Sequence, residues 1–319
     1  MFEPVKQPLV SIVTVNYNSL EETIELLESV FDNSYQNTEV IVVDNASEVD
    51  PGEQLDELFP SVKVLRSEEN LGFAGGNNLA LAHCQGDFIF FVNNDAELTD
   101  GVIESLLQLF DEVPLLGIVS PKLCYYNTLP DLVPDVIQYA GTTPVHPLTG
   151  RNSTIGVRQN DEGRYRLPEP TAYCHGAAMM VPREVIEKVG PMSEDYFLYY
   201  EELDWCERIR KAGYQVYVDN RVKVYHKESI SVEKIGAAKT YYLNRNRILF
   251  MRRNRTALQL MVFYAFLFFV TIPWNSLKFL KDGEIKNLEA FLKAVKWNFT
   301  EGKKMSKPSS HPLTFTAVQ

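Results

Sequence analysis

The stretch LVSIVTVNY at residues 9–17 decides the fold. It is short, apolar and rich in β-branched side chains, a pattern typical of a strand that is buried on both faces. The charged stretch after it places apolar side chains at helical spacing, namely Leu20, Ile24, Leu27 and Val30. A buried strand that leads into an amphipathic helix is the repeating unit of an α/β protein, so this segment predicts an α/β fold.

The same alternation continues through the first third of the chain. Apolar runs predict strands at residues 40–43, 62–65 and 88–92, and amphipathic runs predict helices at 53–59, 75–83 and 102–110. Consecutive strands that are joined through helices pair in parallel, which predicts a doubly wound, mainly parallel sheet. Ligands bind such sheets beyond the carboxyl ends of the strands.

Polar residues follow each of the first four predicted strands. The four groups are Asn16, Tyr17 and Asn18; Asp44, Asn45 and Ser47; Asn70, Gly72 and Phe73; and Asn93, Asn94 and Asp95. Each group alone is typical of a turn, but their coincidence at four successive strand ends predicts one polar, ligand-binding rim.

Length and composition exclude several classes of protein. The chain has 319 residues, of which 45% are hydrophobic and 23% are charged. That is enough to bury a large α/β core, which excludes a small scaffold and a wholly disordered chain. The four cysteines form no CxxC pair, so we expect buried thiols in a reducing compartment. The first ten residues lack the apolar core of a secretory signal, which predicts a cytoplasmic body.

Charge is distributed unevenly along the chain. The formal net charge is -11 at pH 7, which argues against a general nucleic-acid binder. Residues 245–319 nevertheless hold 13 Lys and Arg against 4 Asp and Glu. The sequence therefore predicts an acidic body and a basic tail.

The residues after the first strand restrict the chemistry of the rim. NYNSLEE at 16–22 lacks the G-x-G-x-x-G of dinucleotide folds, and the sequence has no P-loop motif. A nucleotide site built from acids and amides remains, in which Asp44 contacts a base or ribose. Gly72, Gly75 and Gly76 let backbone lie close to the ligand. Asp95, with Glu97 close by, suits a hard divalent cation that binds a diphosphate.

The second half of the chain carries candidate catalytic groups. Residues 121–170 lack periodicity and predict a long surface excursion that forms part of a substrate wall. Residues 175–182 predict a buried strand, with His175 either facing a ligand or serving a structural role. Three acids, Glu201, Glu202 and Asp204, open a predicted helix directly after the aromatic segment 196–200.

That aromatic flank suits a general base. Rings that remove water from a carboxyl raise its pKa toward the range in which it accepts a proton at neutral pH. Adjacent positions on a helix point about 100° apart, so Glu201 and Glu202 do not face the same atom.

Six motifs occur in order along the chain. They are VSIVTVNYN at 10–18, VIVVDNAS at 40–47, NLGFAGGNN at 70–78, FIFFVNNDA at 88–96, HGAAMMVPREVIEKVG at 175–190 and YYEELDWCERIRKAGY at 199–214. Over residues 8–250 the sequence thereby resembles glycosyltransferase family 2, and within it the rhamnosyltransferase-like enzymes of bacterial surface polysaccharide synthesis. The resemblance implies a GT-A fold, a nucleoside-diphosphate sugar donor, inverting transfer to a saccharide or lipid-linked saccharide, and a Mg²⁺ or Mn²⁺ ion.

The resemblance also implies roles for individual residues. The nucleobase and ribose are held by Thr14, Tyr17, Asp44 and Asn45, and the nucleotide is lined by Phe73, Gly75 and Asn77. Asp95 matches the last acid of the metal-binding D-x-D motif, whose first position is Asn93 here. Glu202 matches the catalytic base, where many relatives have Asp. His226 lies where relatives often carry a His near the diphosphate, as a metal ligand or a phosphate contact. The remaining candidates for acceptor contacts are His175, Glu201 and Asp204.

The tail predicts attachment to a membrane. Residues 256–277 carry no charge and are long enough to cross a bilayer, although Pro273 and Asn275 shorten the apolar part. Arginines precede this stretch at 245, 247, 252, 253 and 255, and lysines follow it at 278, 281, 286, 293 and 296. A second, amphipathic helix is predicted from Ile285, Leu288, Leu292, Val295 and Phe299.

We therefore expect a GT-A domain at residues 1–250 and a membrane-associating tail at 251–319, held at the cytoplasmic face. The alternative for the tail is a helical hairpin that covers the catalytic sheet. Two alternatives for the body stay open. One is a catalytically degenerate nucleotide-sugar-binding or scaffold protein, because Asn93 and Glu202 depart from the family pattern. The other is a nucleotidyltransferase, which needs a basic triphosphate loop where NYNSLEE is acidic.

Overall fold

The computed structural model describes residues 7–126, 135–227 and 236–304. Within these ranges ten strands form one sheet. In chain order they are β1 (Val10–Asn16), β2 (Thr38–Asp44), β3 (Lys63–Arg66), β4 (Phe88–Val92), β5 (Ala96–Leu98), β6 (Leu116–Tyr125), β7 (Ile137–Tyr139), β8 (Glu169–Pro170), β9 (Ala178–Pro182) and β10 (Gln215–His226).

The α-helices of the described ranges flank and follow this sheet. They are α1 (Leu20–Phe31), α2 (Gly52–Leu58), α3 (Gly72–Leu81), α4 (Val102–Glu112), α5 (Arg183–Val189), α6 (Glu201–Lys211), α7 (Gly236–Asn254), α8 (Ala257–Phe266), α9 (Ile272–Lys281) and α10 (Ile285–Phe299). Every strand and helix that the sequence predicts within residues 9–110 is present, so the predicted α/β class is confirmed.

The sheet is parallel in its first half and mixed in its second. Its order is β3-β2-β1-β4-β9-β6-β10-β5. β1 pairs in parallel with β2 and β4, as predicted, whereas β9 runs antiparallel to both β4 and β6. Because β9 is reversed, its first residue, Ala178, pairs with the last residue of β4, Val92. The turn at 175–177 therefore lies at the same edge of the sheet as the carboxyl ends of the parallel strands.

Apolar side chains cover both faces of the sheet. One core joins β1 to α1 and α4 through Ile12, Leu27 and Leu106. The other joins the opposite face to α3, α5, α6 and α7, with Trp205 and Phe250 among its largest fully buried side chains. Because successive strand residues point to opposite faces, a strand covered on both sides has to be apolar throughout. This explains the LVSIVTV run.

The predicted excursion at residues 121–170 needs correction. Its first residues belong to β6, a fully buried strand in the interior of the sheet. The sequence obscured this strand because it contains Pro121, which lacks a backbone N–H. Pro121 is tolerated since it pairs with Asp219 directly beside a register shift in β10, where the ladder is interrupted. Residues 140–168 are largely irregular, as predicted.

The tail contains a long apolar helix with little cover. α8 and α9 are joined through a π turn at Leu267–Thr271, and the combined helix Ala257–Lys281 has a mean hydropathy of 1.8 over its most apolar window. Among the described residues it is the one helix long and apolar enough to cross a membrane, and only 11% of that window is buried. Its most exposed large apolar side chains are Leu258, Met261, Phe269, Trp274 and Leu277.

The amphipathic helix of the tail faces the protein differently from the prediction. α10 packs against α7 through Phe291, Ala294 and Val295, whereas Ile285 and Leu292 are exposed. α10 therefore packs on α7, while α8 and α9 keep an apolar surface exposed. The predicted domain boundary at residue 250 lies inside α7, and the division of the chain there stays a prediction.

Most of the arginines that precede the apolar stretch are turned into the protein. Arg245 and Arg247 are buried, and Arg253 and Arg255 pair with Asp195 and Glu207. These arginines therefore contact protein groups, although the sequence places them beside the apolar stretch. The reason is that α7 packs on the catalytic core, so side chains on its inner face meet protein instead of lipid.

Candidate active site

Asn16 joins the first two strand ends of the rim. Its Nδ2 donates to Oδ1 of Asp44 at 2.9 Å and to Oγ of Ser47 at 3.1 Å. Asp44 is fully buried and also pairs with Arg66 at 3.0 Å. These contacts order the loops after β1 and β2, beside which Tyr17 stands half exposed. A contact of Asp44 or Tyr17 with a base or ribose stays a prediction.

Asn45 fixes the start of α3 against the end of β2. Its Nδ2 donates to Oδ1 of Asn70 and to the carbonyl oxygen of Gly72, each at 3.2 Å. Its Oδ1 accepts from the backbone N–H of Leu71 at 2.9 Å. Asn45, which the sequence predicts to contact the nucleotide, therefore also holds the loop that leads into the nucleotide-lining segment of α3.

The glycines of α3 allow close packing between parts of the protein. A Cβ on Gly75 would lie 2.7 Å from Leu71, and one on Gly76 would lie 2.9 Å from Val15 of β1. Protein packing therefore explains them, and backbone contact with a ligand stays a prediction. Two further predicted nucleotide residues are buried here: Asn77 donates to the Phe73 carbonyl oxygen, and Thr14 Oγ1 has no hydrogen-bond partner among the described residues.

Phe73 connects the nucleotide-lining segment to the residues before α6. Its backbone N–H donates to the Phe197 carbonyl oxygen at 2.8 Å, and a Cβ on Gly72 would collide with that same oxygen. The Phe73 ring lies against Gly176, since a Cβ there would be 3.2 Å from Cζ of the ring. Phe73 therefore lies between the 175–177 turn and the segment that leads to Glu202.

Asp95 and His226 lie in contact at the rim. Oδ1 of Asp95 lies 3.1 Å from Nε2 of His226, and both side chains are buried. The other ring nitrogen, Nδ1, lies 2.8 Å from the acceptor Oε1 of Gln138, so Nδ1 carries a proton. Nε2 faces Asp95 and Asn93, whose Nδ2 is 3.3 Å away. Sequence reasoning missed Gln138, which lies 88 positions from His226.

This donor set fits a divalent cation. Two ligand atoms that bind one ion at right angles, each about 2.1 Å from the ion, lie about 3.0 Å from each other. The Asp95–His226 separation of 3.1 Å matches that spacing. A hydrogen bond to the remote ring nitrogen also fixes the tautomer of a ligating histidine, which is the role Gln138 has here. Asn93 replaces an acid, so the site supplies one carboxylate and one imidazole.

A second group of possible ligands is less suited to a metal. Ligand atoms of Cys124, Asp135 and Asp161 lie within 4.8 Å of one another. Asp161 pairs with Lys122 and Asp135 pairs with Lys223, each at 2.5 Å. Burial raises the pKa of the Cys124 thiol to about 12, so the thiolate that metals bind is disfavoured. These carboxylates already have cationic partners.

His175 lies at the centre of the rim as a neutral imidazole. Its ring contacts Tyr139 and His226 edge to face, with centroids 5.5 Å and 5.9 Å apart. Burial and the nearby His226 lower the pKa of His175 to about 3, against the opposite effect of Asp95. Nδ1 accepts from the Ala177 backbone N–H at 3.1 Å, so Nε2 carries the proton and is a hydrogen-bond donor at neutral pH.

Glu201 and Glu202 begin α6 beside this rim. One oxygen of each carboxyl is buried without a hydrogen-bond partner among the described residues. Burial, and then the charge of Glu202, raise the pKa of Glu201 well above its usual range, which favours its protonated form. Burial raises the pKa of Glu202 to about 7, partly offset by backbone N–H groups at the helix start. A carboxyl with that pKa suits a general base.

The segment that leads to these acids has a strained backbone. Phe197, Tyr199 and Tyr200 all have positive φ, between 64° and 79°, which bulky residues rarely adopt. The fully buried Asn246 on α7 holds this segment, since its Nδ2 lies 2.7–2.8 Å from three carbonyl oxygens, of Tyr196, Leu198 and Tyr199. Strain that is held by the surroundings is typical of functional sites. The sequence analysis did not predict this role of Asn246. The signal in the sequence is a polar amide within RNRILF at 245–250, a stretch that is buried in the protein.

Asp204 serves the packing of α6. Its carboxylate is buried and accepts from Tyr196 Oη at 3.0 Å, from Asn254 Nδ2 at 2.8 Å and from Arg208 Nε at 3.0 Å. All three partners belong to the protein. The predicted contact of Asp204 with an acceptor stays a prediction that this geometry disfavours.

The raised pKa of Glu202 predicts how the rate of transfer depends on pH. A general base acts as its carboxylate, and burial raises its pKa to about 7. We expect kcat/KM to fall about tenfold per pH unit below that value and to level off above it. Initial rates from pH 5 to pH 9 test this, with a control for unfolding by circular dichroism. A profile that stays flat down to pH 5 contradicts the assignment.

Comparison with solved structures defines the class. The mannosyltransferase PcManGT from Pyrobaculum calidifontis, in complex with GDP-Man and Mn²⁺, superposes with a TM-score of 0.55 at 17% identity, over 93% of this chain and 76% of that one. GalNAc-T7 with UDP, GalNAc and Mn²⁺ gives 0.58 at 14% identity, over 86% and 58%. TarS 1–349 from S. aureus gives 0.54 at 20% identity, over 90% and 80%. The fold is that of the GT-A glycosyltransferases, so the predicted GT-A fold is confirmed.

Sequence comparison places the chain within that class. The family model described as Glycosyl transferase family 2 matches residues 11–190. The low-salt glycan biosynthesis hexosyltransferase Agl10 of Haloferax volcanii is 25% identical over 244 residues, 75% of this chain and 74% of that protein. The N-acetylglucosaminyl-diphospho-decaprenol L-rhamnosyltransferase of Mycobacterium tuberculosis is 25% identical over 234 residues, 68% and 75%. This chain belongs to glycosyltransferase family 2, and it is a glycosyltransferase. Glu202 and His226 lie beyond the matched range, so their roles are proposals.

Proposed function

We propose that this glycosyltransferase moves a sugar, with rhamnose among the candidates, from a nucleoside-diphosphate sugar to a saccharide or lipid-linked saccharide in cell-surface polysaccharide synthesis. The observation that carries the proposal is the buried carboxyl of Glu202, whose pKa is raised to about 7, at the start of α6. Phe73 contacts both the segment before α6 and Gly176, and the adjacent His175 ring contacts that of His226, so these contacts connect the start of α6 to the rim. Relatives named as a hexosyltransferase and a rhamnosyltransferase support the same reading.

The proposed reaction is a single displacement with inversion. Glu202 takes the proton of an acceptor hydroxyl while that oxygen attacks the anomeric carbon of the donor from the face opposite the diphosphate. The bond between the anomeric carbon and the diphosphate oxygen breaks, and its electron pair leaves with the nucleoside diphosphate. Neutral His175, with its Nε2 proton, is placed to donate a hydrogen bond at the rim. Asn246 holds the segment before the base, so that Glu202 keeps its orientation.

Asp95 and His226 are the residues that would hold a divalent cation at the diphosphate. When bound there, Mg²⁺ or Mn²⁺ supplies positive charge that stabilises the negative charge developing on the leaving group. Gln138 orients His226 through Nδ1, which leaves Nε2 for the cation. Two structural neighbours contain Mn²⁺, which supports a cation of this class in the proposal.

The competing reading is a nucleotide-sugar-binding protein without turnover. It is motivated by Asn93 in the metal motif and by Glu in place of Asp at the base position. A panel of nucleotide sugars, including dTDP-rhamnose and UDP-hexoses, tests the proposal by thermal shift with and without Mn²⁺, followed by transfer assays with the donor that stabilises the protein. Binding without transfer or hydrolysis supports the competing reading, and no stabilisation by any donor contradicts both.

We also propose that α8 and α9 attach the enzyme to the cytoplasmic face of the membrane. Phe269 is 83% exposed and Trp274 is 71% exposed on a helix with no charge from 256 to 277, and water does not favour such a surface. Lysines on α9 and α10 follow the apolar stretch and suit anionic headgroups. A lipid-linked acceptor would explain why a catalytic domain carries this surface.

Replacing Phe269 and Trp274 by glutamate is expected to reduce binding to anionic vesicles at least tenfold. Burial of one such side chain contributes about 1.5–3 kcal/mol, and a charge at the same position opposes insertion. Flotation with phosphatidylglycerol vesicles measures the bound fraction, and the exposed pair Glu53 and Glu57 changed to glutamine serves as the control. Full-length protein that is soluble without detergent and ignores anionic vesicles contradicts membrane attachment.

A further inference from the structure

Arg247 on α7 is a buried cation without an anionic partner in the described residues. It is 5% exposed, and its Nε is buried with no hydrogen-bond partner there. Nη2 donates to the neutral amide of Asn244 at 2.8 Å. Other arginines of this segment have more partners: Arg253 and Arg255 pair with Asp195 and Glu207, and Arg245 and Arg252 donate to backbone carbonyl oxygens. A guanidinium that loses water without gaining a counter-charge is costly to bury, so its retention needs an explanation.

A second arginine adds to the unbalanced charge. Arg151 acts on Arg247 with the same sign, and both lie within electrostatic range of the Tyr200 hydroxyl. Tyr200 Oη donates to the Gly150 carbonyl oxygen at 3.2 Å, which holds the 150–151 turn against the segment before α6. Arg151 is exposed and lines a cavity of about 520 Å³, so this position is open to solvent.

The position lies between the apolar helix and the proposed base. A Cβ on Gly150 would be 3.1 Å from Arg247 Cγ and 3.1 Å from the ring of Phe263, a buried residue of α8. Tyr200, which also contacts Gly150, lies within electrostatic range of Glu202. A molecule that is embedded beside α8 and extends toward Glu202 would therefore pass these two arginines.

We infer that Arg247 and Arg151 form a binding site for a phosphoryl group carried by a lipid. Guanidinium groups bind phosphate oxygens through paired, charge-assisted hydrogen bonds, and a buried guanidinium gains most from such a partner. The inference rests on the proposed function, in which the acceptor is lipid-linked. Two sources share this chemistry: the phosphate or diphosphate that joins the acceptor sugar to its lipid, and the headgroup of a bilayer phospholipid.

Decyl diphosphate is the probe for this site. Its binding to the full-length protein is measured calorimetrically in EDTA, so that no divalent cation can recruit the diphosphate to Asp95. We expect Arg247→Met to weaken binding at least tenfold and Arg151→Gln to weaken it several-fold, since one charge-assisted pair is lost in each. Arg164→Gln, which removes an exposed arginine elsewhere, is the matched control and leaves the affinity unchanged.

A ligand-binding role and a structural role for Arg247 predict different stabilities for the Arg247→Met variant. If the guanidinium serves to bind a ligand and does not stabilise the fold, Arg247→Met unfolds at the same or a higher urea concentration than the wild type in the absence of decyl diphosphate. A clearly lower midpoint, or unchanged decyl diphosphate affinity together with unchanged flotation on phosphatidylglycerol vesicles in both variants, overturns the inference. Weaker flotation on phosphatidylglycerol vesicles with unchanged decyl diphosphate affinity assigns the site to a bilayer headgroup. Donor-induced thermal shifts and transfer assays do not depend on this site. A failure of the proposed function therefore appears in those assays, separately from the binding of decyl diphosphate.

Discussion

Glu202→Gln is expected to reduce sugar transfer by at least about 10³-fold while nucleotide binding is retained. Glutamine preserves the size of the side chain and removes its capacity to take a proton, which is the contribution of a general base. The carboxyl is buried at the start of α6, where few water molecules can replace it as a base. Transfer is measured with the donor found by thermal shift, and donor affinity is measured by the same shift.

Glu201→Gln is the control variant for the Glu202→Gln result. Glu201 is buried, and burial raises its pKa and favours the neutral form, which glutamine resembles in size and charge. We expect a loss of less than about tenfold for this variant, in line with one altered hydrogen bond. Near-normal turnover in Glu202→Gln, or an equal loss in both variants, is incompatible with Glu202 as the base.

The sequence predicted the part of the site that depends on strand ends. Asp44, Asn45 and Asp95 follow apolar strands, and parallel strands bring their carboxyl ends to one edge of a sheet. The resemblance predicted His226 near the diphosphate, but the Asp95–His226 contact was not predicted, since the two residues are far apart in sequence. β10 places His226 at this edge, because β10 runs parallel to β6, which runs antiparallel to β9.

Residues that act by holding other residues were not predictable in the same way. Asn246 and Gln138 have no motif of their own, and their roles appear only when the fold brings Asn246 to three carbonyl oxygens and Gln138 to His226. The positive φ values of Phe197, Tyr199 and Tyr200 were equally hidden, since aromatic residues give no signal for that conformation. Local sequence patterns report on secondary structure, and these features are tertiary.

The tail shows where a charge pattern misleads. Arginines beside an apolar stretch are typical of membrane flanks, yet those of α7 are mostly satisfied inside the protein by carbonyl oxygens and carboxylates. Arginines beside an apolar stretch can therefore either flank a membrane or bind groups of the protein, and only the packing of the structure distinguishes the two cases. Arg247 is distinguished from its neighbours because its one hydrogen bond among the described residues goes to a side-chain amide, whereas Arg245 and Arg252 donate to carbonyl oxygens and Arg253 and Arg255 pair with carboxylates.

Asp95→Ala is expected to abolish the part of donor binding that depends on a divalent cation and to reduce transfer by about 10²-fold. Asp95 supplies the carboxylate of the Asp95–His226 pair, and His226 alone offers a neutral nitrogen, which holds a hard cation weakly. Loss of about 2–3 kcal/mol of charge stabilisation at the leaving diphosphate corresponds to this change in rate.

Two measurements separate this effect from a loss of structure. Thermal shift with the donor nucleotide is recorded over a Mn²⁺ titration: the wild type gains stability as Mn²⁺ rises, and Asp95→Ala is expected to lack that gain and to keep the shift seen in EDTA. His226 retains Gln138 and Asn93 as partners in the variant, so the fold around it is expected to persist. Asp111→Ala, which removes an exposed carboxylate from α4, should titrate as the wild type does. An unchanged Mn²⁺ titration in Asp95→Ala would exclude Asp95 as a ligand and leave the leaving group to be stabilised by neutral donors such as His175.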